Sequence, residues 1–179
     1  MVHPSTKRRP AKRHLGLLLA GGILMALWPA AARSQGVTFN QTHLTLYTGS
    51  GRHEFTVDVA ESATQVNLGL RYRHSIDPDG GLLIVQSIAA PVIMQVSNEG
   101  ILLPMDLLFL ASDGTVREVH PWVPPDSSDP IVSTAPVAAA LELKGGTITR
   151  YGILPGDRVI GGGLGAGPIS VVPGKSHNC

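Results

Sequence analysis

Apolar positions along most of this chain come in short runs bounded by glycine, proline and aspartate, a spacing that predicts strands rather than long helices. Leu44 to Tyr47 and His53 to Val59 alternate like half-buried strands, joined by a turn at Gly49-Ser50-Gly51. The period then changes. From Ala60 to Arg73 the residues Ala63, Val66 and Leu70 fall at helical spacing with no proline, so one short helix is predicted there. Asp77-Pro78-Asp79-Gly80-Gly81 is a reversal, since proline fixes φ and glycine accepts positive φ. Gly81 to Val85, Val92 to Val96 and Leu107 to Leu110 read as buried strands, and Ser112-Asp113-Gly114 as a hairpin turn into Thr115 to His120. Pro121 to Pro130 reads as a surface loop, and Ala135 to Leu143 as either a strand or a short helix.

The densest turn chemistry lies in "LELKGGTITRYGILPGDRV", Leu141 to Val159. Lys144-Gly145-Gly146-Thr147 reverses the chain after an apolar strand. In Leu154-Pro155-Gly156-Asp157, Pro155 and Gly156 occupy the central positions of a type II turn, and Asp157 is placed to bond local backbone amides. The predicted fold is α+β and β-rich: a compact barrel-like or sandwich-like sheet with one short helix, both turns tightening its edge. The glycine-rich segment after Ile160, 161–179, is expected to be a poorly ordered tail; its glycines do not follow a phosphate-binding spacing.

Charge divides the chain. Residues 1–35 hold six of the 14 Lys and Arg and none of the 13 Asp and Glu, which leaves eight basic residues against 13 acidic ones beyond them. Lys7, Arg8, Arg9, Lys12 and Arg13 precede an apolar run from Leu15 to Trp28, and Ala30-Ala31-Ala32 supplies small residues for cleavage. Residues 1–34 are therefore expected to be a signal peptide, 35–160 the functional domain, and the protein periplasmic or secreted. The run of about 14 apolar residues is shorter than the roughly 20 a membrane span requires, so no span is expected after cleavage. Arg8-Arg9 suggests the twin-arginine route, but Pro10-Ala11 follows where an apolar pair is usual, which favours the general secretory route. No cysteine lies near the cleavage region, which disfavours a lipoprotein. The acidic balance of the remainder argues against a nucleic-acid partner.

Chemical motifs are sparse. His43, His53, His74, His120 and His177 lack the close spacing that puts two metal ligands on one face, so neither metal nor organic cofactor is expected. There is no Gly-x-Ser-x-Gly elbow, and the sole cysteine is Cys179, read as an incidental tail residue. Charges set in apolar surroundings are better candidates, because burying an unpaired ion costs several kcal/mol. Asp106 precedes Leu107-Leu108-Phe109-Leu110, Glu142 lies between Leu141 and Leu143, and Arg71 and Arg73 end the predicted helix. A pairing of Arg73 with one of these carboxylates, tying helix to sheet, is the preferred reading. The sharper one makes Arg71, Arg73, Asp106, Glu142 and Trp122 the lining of a ligand pocket.

Four stretches in order, "FTVDVAESATQVNLGLRYR", "DGGLLIV", "LPMDLLFLASDGTVREV" and "PVAAALELKGGTITRYGILPGDRV", resemble the DUF192 family from Phe55 to Val159. The resemblance implies a compact β-rich α+β domain, often exported, with no established activity. The chain departs from the family pattern twice. Arg71 stands where Gly-Leu-Met-aromatic-Arg would put methionine, and "VIMQVSNEGIL", Val92 to Leu102, replaces a Trp-Met-x-Asn-Thr stretch. If those groups form the family's ligand site, this member has altered or lost it. The leading expectation is a non-enzymatic envelope protein that binds a small molecule or another protein. The alternatives are a hydrolase acting on an envelope polymer through an acid-base pair drawn from Asp106, Glu142 and Glu118, and an interaction module with a decayed pocket.

Overall fold

The computed structural model describes residues 37–165. The elements run β1 (Asn40–Thr48), β2 (Gly51–Ala60), α1 (Ala63–Leu68), β3 (Gly81–Val85), β4 (Gln95–Val96), β5 (Met105–Leu110), β6 (Val116–Val123), β7 (Ile131–Val132), β8 (Ala139–Lys144), α2 (Thr147–Tyr151) and β9 (Arg158–Ile160). Seven strands make one sheet in the order β6-β5-β8-β3-β2-β1-β9, while β4 and β7 form a separate two-stranded ladder. Among the described residues, β2 and β3 are the one parallel pair; α1 lies in their connection.

The sheet curls into a half-barrel until its two outer strands meet at one end. There Thr115 bridges Arg158, Val159 N–H donates to the Gly114 carbonyl at 2.8 Å, and Val116 N–H donates to the Asp157 carbonyl at 2.8 Å. The approach at this seam needs glycine: at Gly114 (φ +81°) a Cβ would sit well inside 3.0 Å of the Val159 carbonyl oxygen. Both faces of the central strands are covered, which is why β3, β5 and β8 read as continuous apolar runs. Leu44, Phe55, Leu83, Leu108 and Leu141 fill the inside of the curl. Leu82, Ile84, Leu107 and Phe109 face outward and are roofed by Met94, Val96 and Leu70.

Several expectations change. The helix is six residues, not the Ala60–Arg73 span: β2 runs on through Ala60, Ser62 and Gln65 form a reciprocal capping box, and Gly69 (φ +48°) stops the helix. None of its residues is buried, so Ala63 and Val66 do not carry the apolar face their spacing suggested. A second helix, α2, follows the Gly145-Gly146 turn. Val92–Val96 shrinks to the two residues of β4 and a bridge from Val92 to Val137, because β7 offers a partner only two residues long. The loop expected from Pro121 starts later, β6 continuing to Val123. Of Ala135–Leu143, the part from Ala139 onwards is strand β8, held between β3 and β5. The expected tail is ordered at its start, where Gly161 and Leu164 bridge each other and Leu164 is buried. The rest of it, with His177 and Cys179, lies outside the described residues, as does the expected signal segment 1–34.

Candidate functional site

Strand pleating sorts the candidate carboxylates. Partners opposite one another in antiparallel strands share a face. Glu142 lies opposite Leu82 and Leu107, which face outward, whereas Asp106 lies opposite Leu143, which faces the inside of the curl. The two carboxylates therefore project from opposite faces of the sheet and do not flank one cleft, as an Asp106–Glu142 acid-base pair would require. Glu118 faces outward opposite Phe109, but its carboxylate is occupied by the Thr134 backbone N–H (2.8 Å) and hydroxyl (2.7 Å). Burial pushes that carboxyl up, and the bonds from Thr134 and His120 outweigh it, leaving a net lowering.

Asp106 is fully buried and accepts two backbone bonds, from Trp122 N–H at 2.8 Å and from Ile148 N–H at 2.6 Å. Ile148 belongs to the first turn of α2, whose N-cap is Gly146 and has no capping side chain. Asp106 thus caps from a distant strand the helix that its own N-cap residue leaves open, with its negative charge at the helix's positive end. The neighbouring contacts interlock the same motifs. Gly145 N–H donates to the Pro104 carbonyl at 2.9 Å, and the Trp122 ring lies over Gly146, where a Cβ would meet it at 3.1 Å. Trp122 itself has φ +55°, a strained geometry for a bulky residue, held by the Asp106 bond. Asp106 and Trp122 are together, but away from the cavity described below.

Arg73 pairs with Asp58 of β2 at 2.6 Å and lies over the Phe39 ring, 5.6 Å from its centroid. It does tie the segment after α1 to the sheet, but through Asp58, not through Asp106 or Glu142. The Pro155-Gly156-Asp157 turn is also architectural. Gly156 has φ +100°, Asp157 N–H reaches the Leu154 carbonyl at 3.1 Å, and the Asp157 carboxylate accepts Leu154 N–H at 2.8 Å.

Arg71 and Glu142 do come together. They share a cavity of about 290 Å³ between the segment after α1, the β4 segment and the outer face of β3 and β8. Its walls are apolar at Leu70, Leu82, Ile84, Met94 and Ile101, with Gln86, Gln95 and Ser97 adding polar groups. Glu142 is 3% exposed, and no hydrogen bond from the described residues reaches its carboxyl. Burial pushes it up to about 7, opposed only by the charge of Arg71. The Arg71 guanidinium has one other acid near it, the exposed Glu99 at 4.0 Å, and packs against Gly100, where a Cβ would lie 3.1 Å from Nη1. Both departures from the family pattern, Arg71 and the Val92–Leu102 segment, line this one cavity. Sequence reasoning singled out Arg71 and Glu142; it did not find Met94, Gln95 or Ser97, whose only signal was that replaced segment.

Glu142 gives a pH prediction. An unfolded glutamate releases its proton near 4.5, the folded one near 7, so the folded state holds more protons between those values. The stability conferred by the protonated carboxyl is fully present below about pH 4.5 and is lost as pH rises through about 7. With the charge of Arg71 as the one opposing influence, the loss is about 3 kcal/mol. Glu142→Gln should therefore be more stable than the parent by about 2–3 kcal/mol at pH 8 and nearly equal to it at pH 4, measured by urea unfolding. An equal offset at both pH values would show that Glu142 does not titrate in this range.

Among the described residues no group of three or more His, Cys, Asp or Glu is placed to hold a metal ion, and no helix is long and apolar enough to cross a membrane. The sequence profile of DUF192, described as an uncharacterized ACR family, matches residues 45–161. A Sinorhizobium meliloti crystal structure, described as that of a candidate transcription regulator, is 40% identical with a TM-score of 0.68, over 72% of this chain and 98% of that one. A Novosphingobium aromaticivorans protein of unknown function is 27% identical with a TM-score of 0.63, over 75% of this chain and 94% of that one. No curated protein matches the chain.

Proposed function

The chain belongs to the DUF192 family, and from that premise we propose that it is an exported protein of the cell envelope that binds a small ligand without transforming it. One observation carries the reading: a cavity with apolar walls holds a buried carboxyl that no hydrogen bond from the described residues satisfies, beside an arginine only loosely engaged elsewhere. Apolar walls with a few convergent polar groups are the ordinary composition of a small-molecule site, and 290 Å³ falls at its smaller end. Binding is favoured over hydrolysis because, among the described residues, Glu142 is the one acid lining the cavity and no second carboxylate stands across it. Export rests on the basic start, apolar run and small residues of 1–34. The Sinorhizobium neighbour's description as a regulator of transcription does not carry over well, since residues 37–165 hold seven Lys and Arg against all 13 Asp and Glu.

The test is a thermal-shift screen of the protein recovered from the extracytoplasmic fraction, against sugars, cell-wall fragments, amino acids and divalent metals. A ligand at 100 times its Kd adds about 2.7 kcal/mol. The expected result is a reproducible shift from one ligand class that Glu142→Gln or Arg71→Met reduces. A flat response across the panel, or a shift indifferent to both substitutions, would remove the cavity from the reading.

A further inference from the structure

The cavity's two charges are of opposite sign and differently buried, and that asymmetry constrains what fits. Glu142 is buried on the sheet, with no donor from the described residues. An ionised carboxylate in such a place is costly until a cation or several donors reach it. Arg71 belongs to the segment between α1 and β3, packs against the Gly100 turn and is partly exposed, its side chain at 29%. Its acid neighbour Glu99 is 64% exposed, and an ion pair at 4.0 Å in solvent contributes little. A guanidinium carries five N–H donors in a planar fork suited to a carboxylate. Most of the remaining wall is aliphatic or thioether: Leu70, Leu82, Ile84, Met94, Val96 and Ile101.

We propose that this cavity takes an apolar α-amino acid or a compound of the same chemistry, its ammonium on Glu142, its carboxylate on Arg71 and its side chain against Leu82, Ile84 and Met94. The proposal rests on the ligand-binding reading and narrows it to a zwitterion. A ligand with only an amine would leave Arg71 unused and bring a second cation beside it. One with only a carboxylate would bring a second anion towards Glu142. A neutral sugar would not engage the aliphatic walls.

Isothermal titration calorimetry at pH 7.5 tests it with three compounds: L-leucine, 3-methylbutylamine, which lacks its carboxylate, and 4-methylpentanoate, which lacks its amine. L-leucine is expected to bind, and each half-ligand to bind at least ten-fold more weakly. Glu142→Gln should weaken leucine and the amine ten-fold or more and leave the acid unchanged or tighter. Arg71→Met should weaken leucine and the acid and spare the amine. Urea unfolding of both variants establishes that they are folded before titration. If leucine, isoleucine and methionine all fail to bind while another class binds in a Glu142-dependent manner, the zwitterion assignment falls and ligand binding at the cavity stands. Leucine binding indifferent to both substitutions also overturns the assignment. No binding by any compound overturns both.

Discussion

Replacing Asp106 with alanine is expected to lower the stability of the domain by about 3–5 kcal/mol, a large share of the 5–15 kcal/mol typical of a single domain. The substitution leaves the N–H groups of Trp122 and Ile148 without an acceptor in a site where Asp106 is fully buried. Each buried donor so orphaned costs about 1–3 kcal/mol. Two further effects add to that. The first turn of α2 loses the carboxylate that accepts its Ile148 N–H, and Trp122, at φ +55°, loses the bond that holds it there. Asp106→Asn keeps one acceptor oxygen but turns an N–H₂ towards a donor, so it should recover only part of the loss. Urea unfolding followed by tryptophan fluorescence measures the change, with an unaltered m-value showing that the same cooperative unit unfolds. A loss below 1 kcal/mol for the alanine variant would mean that the carboxylate does not hold α2 to β6, and would free Asp106 for another role.

Gly114→Ala should cost a similar amount, about 3–5 kcal/mol, for a different reason. The residue needs φ +81°, which in a non-glycine costs about 1–3 kcal/mol, and its new Cβ would overlap the Val159 carbonyl oxygen. That oxygen is backbone and cannot swing away; the two strands must separate, losing the bond from Val159 N–H to the Gly114 carbonyl. Gly156→Ala is the matched comparison, because Gly156 has φ +100° but nothing within 4 Å of the position of a Cβ. It should show the conformational cost alone. Equal losses at the two positions in thermal unfolding would show that the seam accommodates a methyl group and that the overlap contributes nothing.

How much of this was legible beforehand depended on whether the cause was local. The alternation of β1 and β2, the apolar runs of β3 and β5 and the turn at Pro155-Gly156 are written in neighbouring residues, and the structure has strands and a positive-φ glycine there. α2 was not legible. Thr147–Tyr151 is five residues with two β-branched threonines and an isoleucine, and its cap comes from Asp106, 42 positions away. The same holds for Arg73, whose partner Asp58 lies 15 positions upstream on β2. For the site, sequence could say that Glu142 was embedded among apolar residues. It could not say that Asp106 faces the inside of the curl while Glu142 faces a cavity, because that depends on which strands pair with β5 and β8 and on where the β4 segment lies. The replaced Val92–Leu102 stretch was the one local sign of the cavity's position.

The pairing of β1 with β9 also sets the order of events when the protein is made. Leu46 lies opposite Val159, so the earliest strand of the sheet waits for the last before its outer edge is covered. β8, between β3 and β5, likewise comes late and joins strands that precede it in the chain. Contacts this distant in sequence form slowly, on the millisecond-to-second scale for all-β topologies, whereas a ribosome adds about 5–20 residues per second. The half-barrel therefore cannot be completed until nearly the whole domain has emerged. During those seconds the nascent chain remains open to whatever machinery handles unfolded polypeptide.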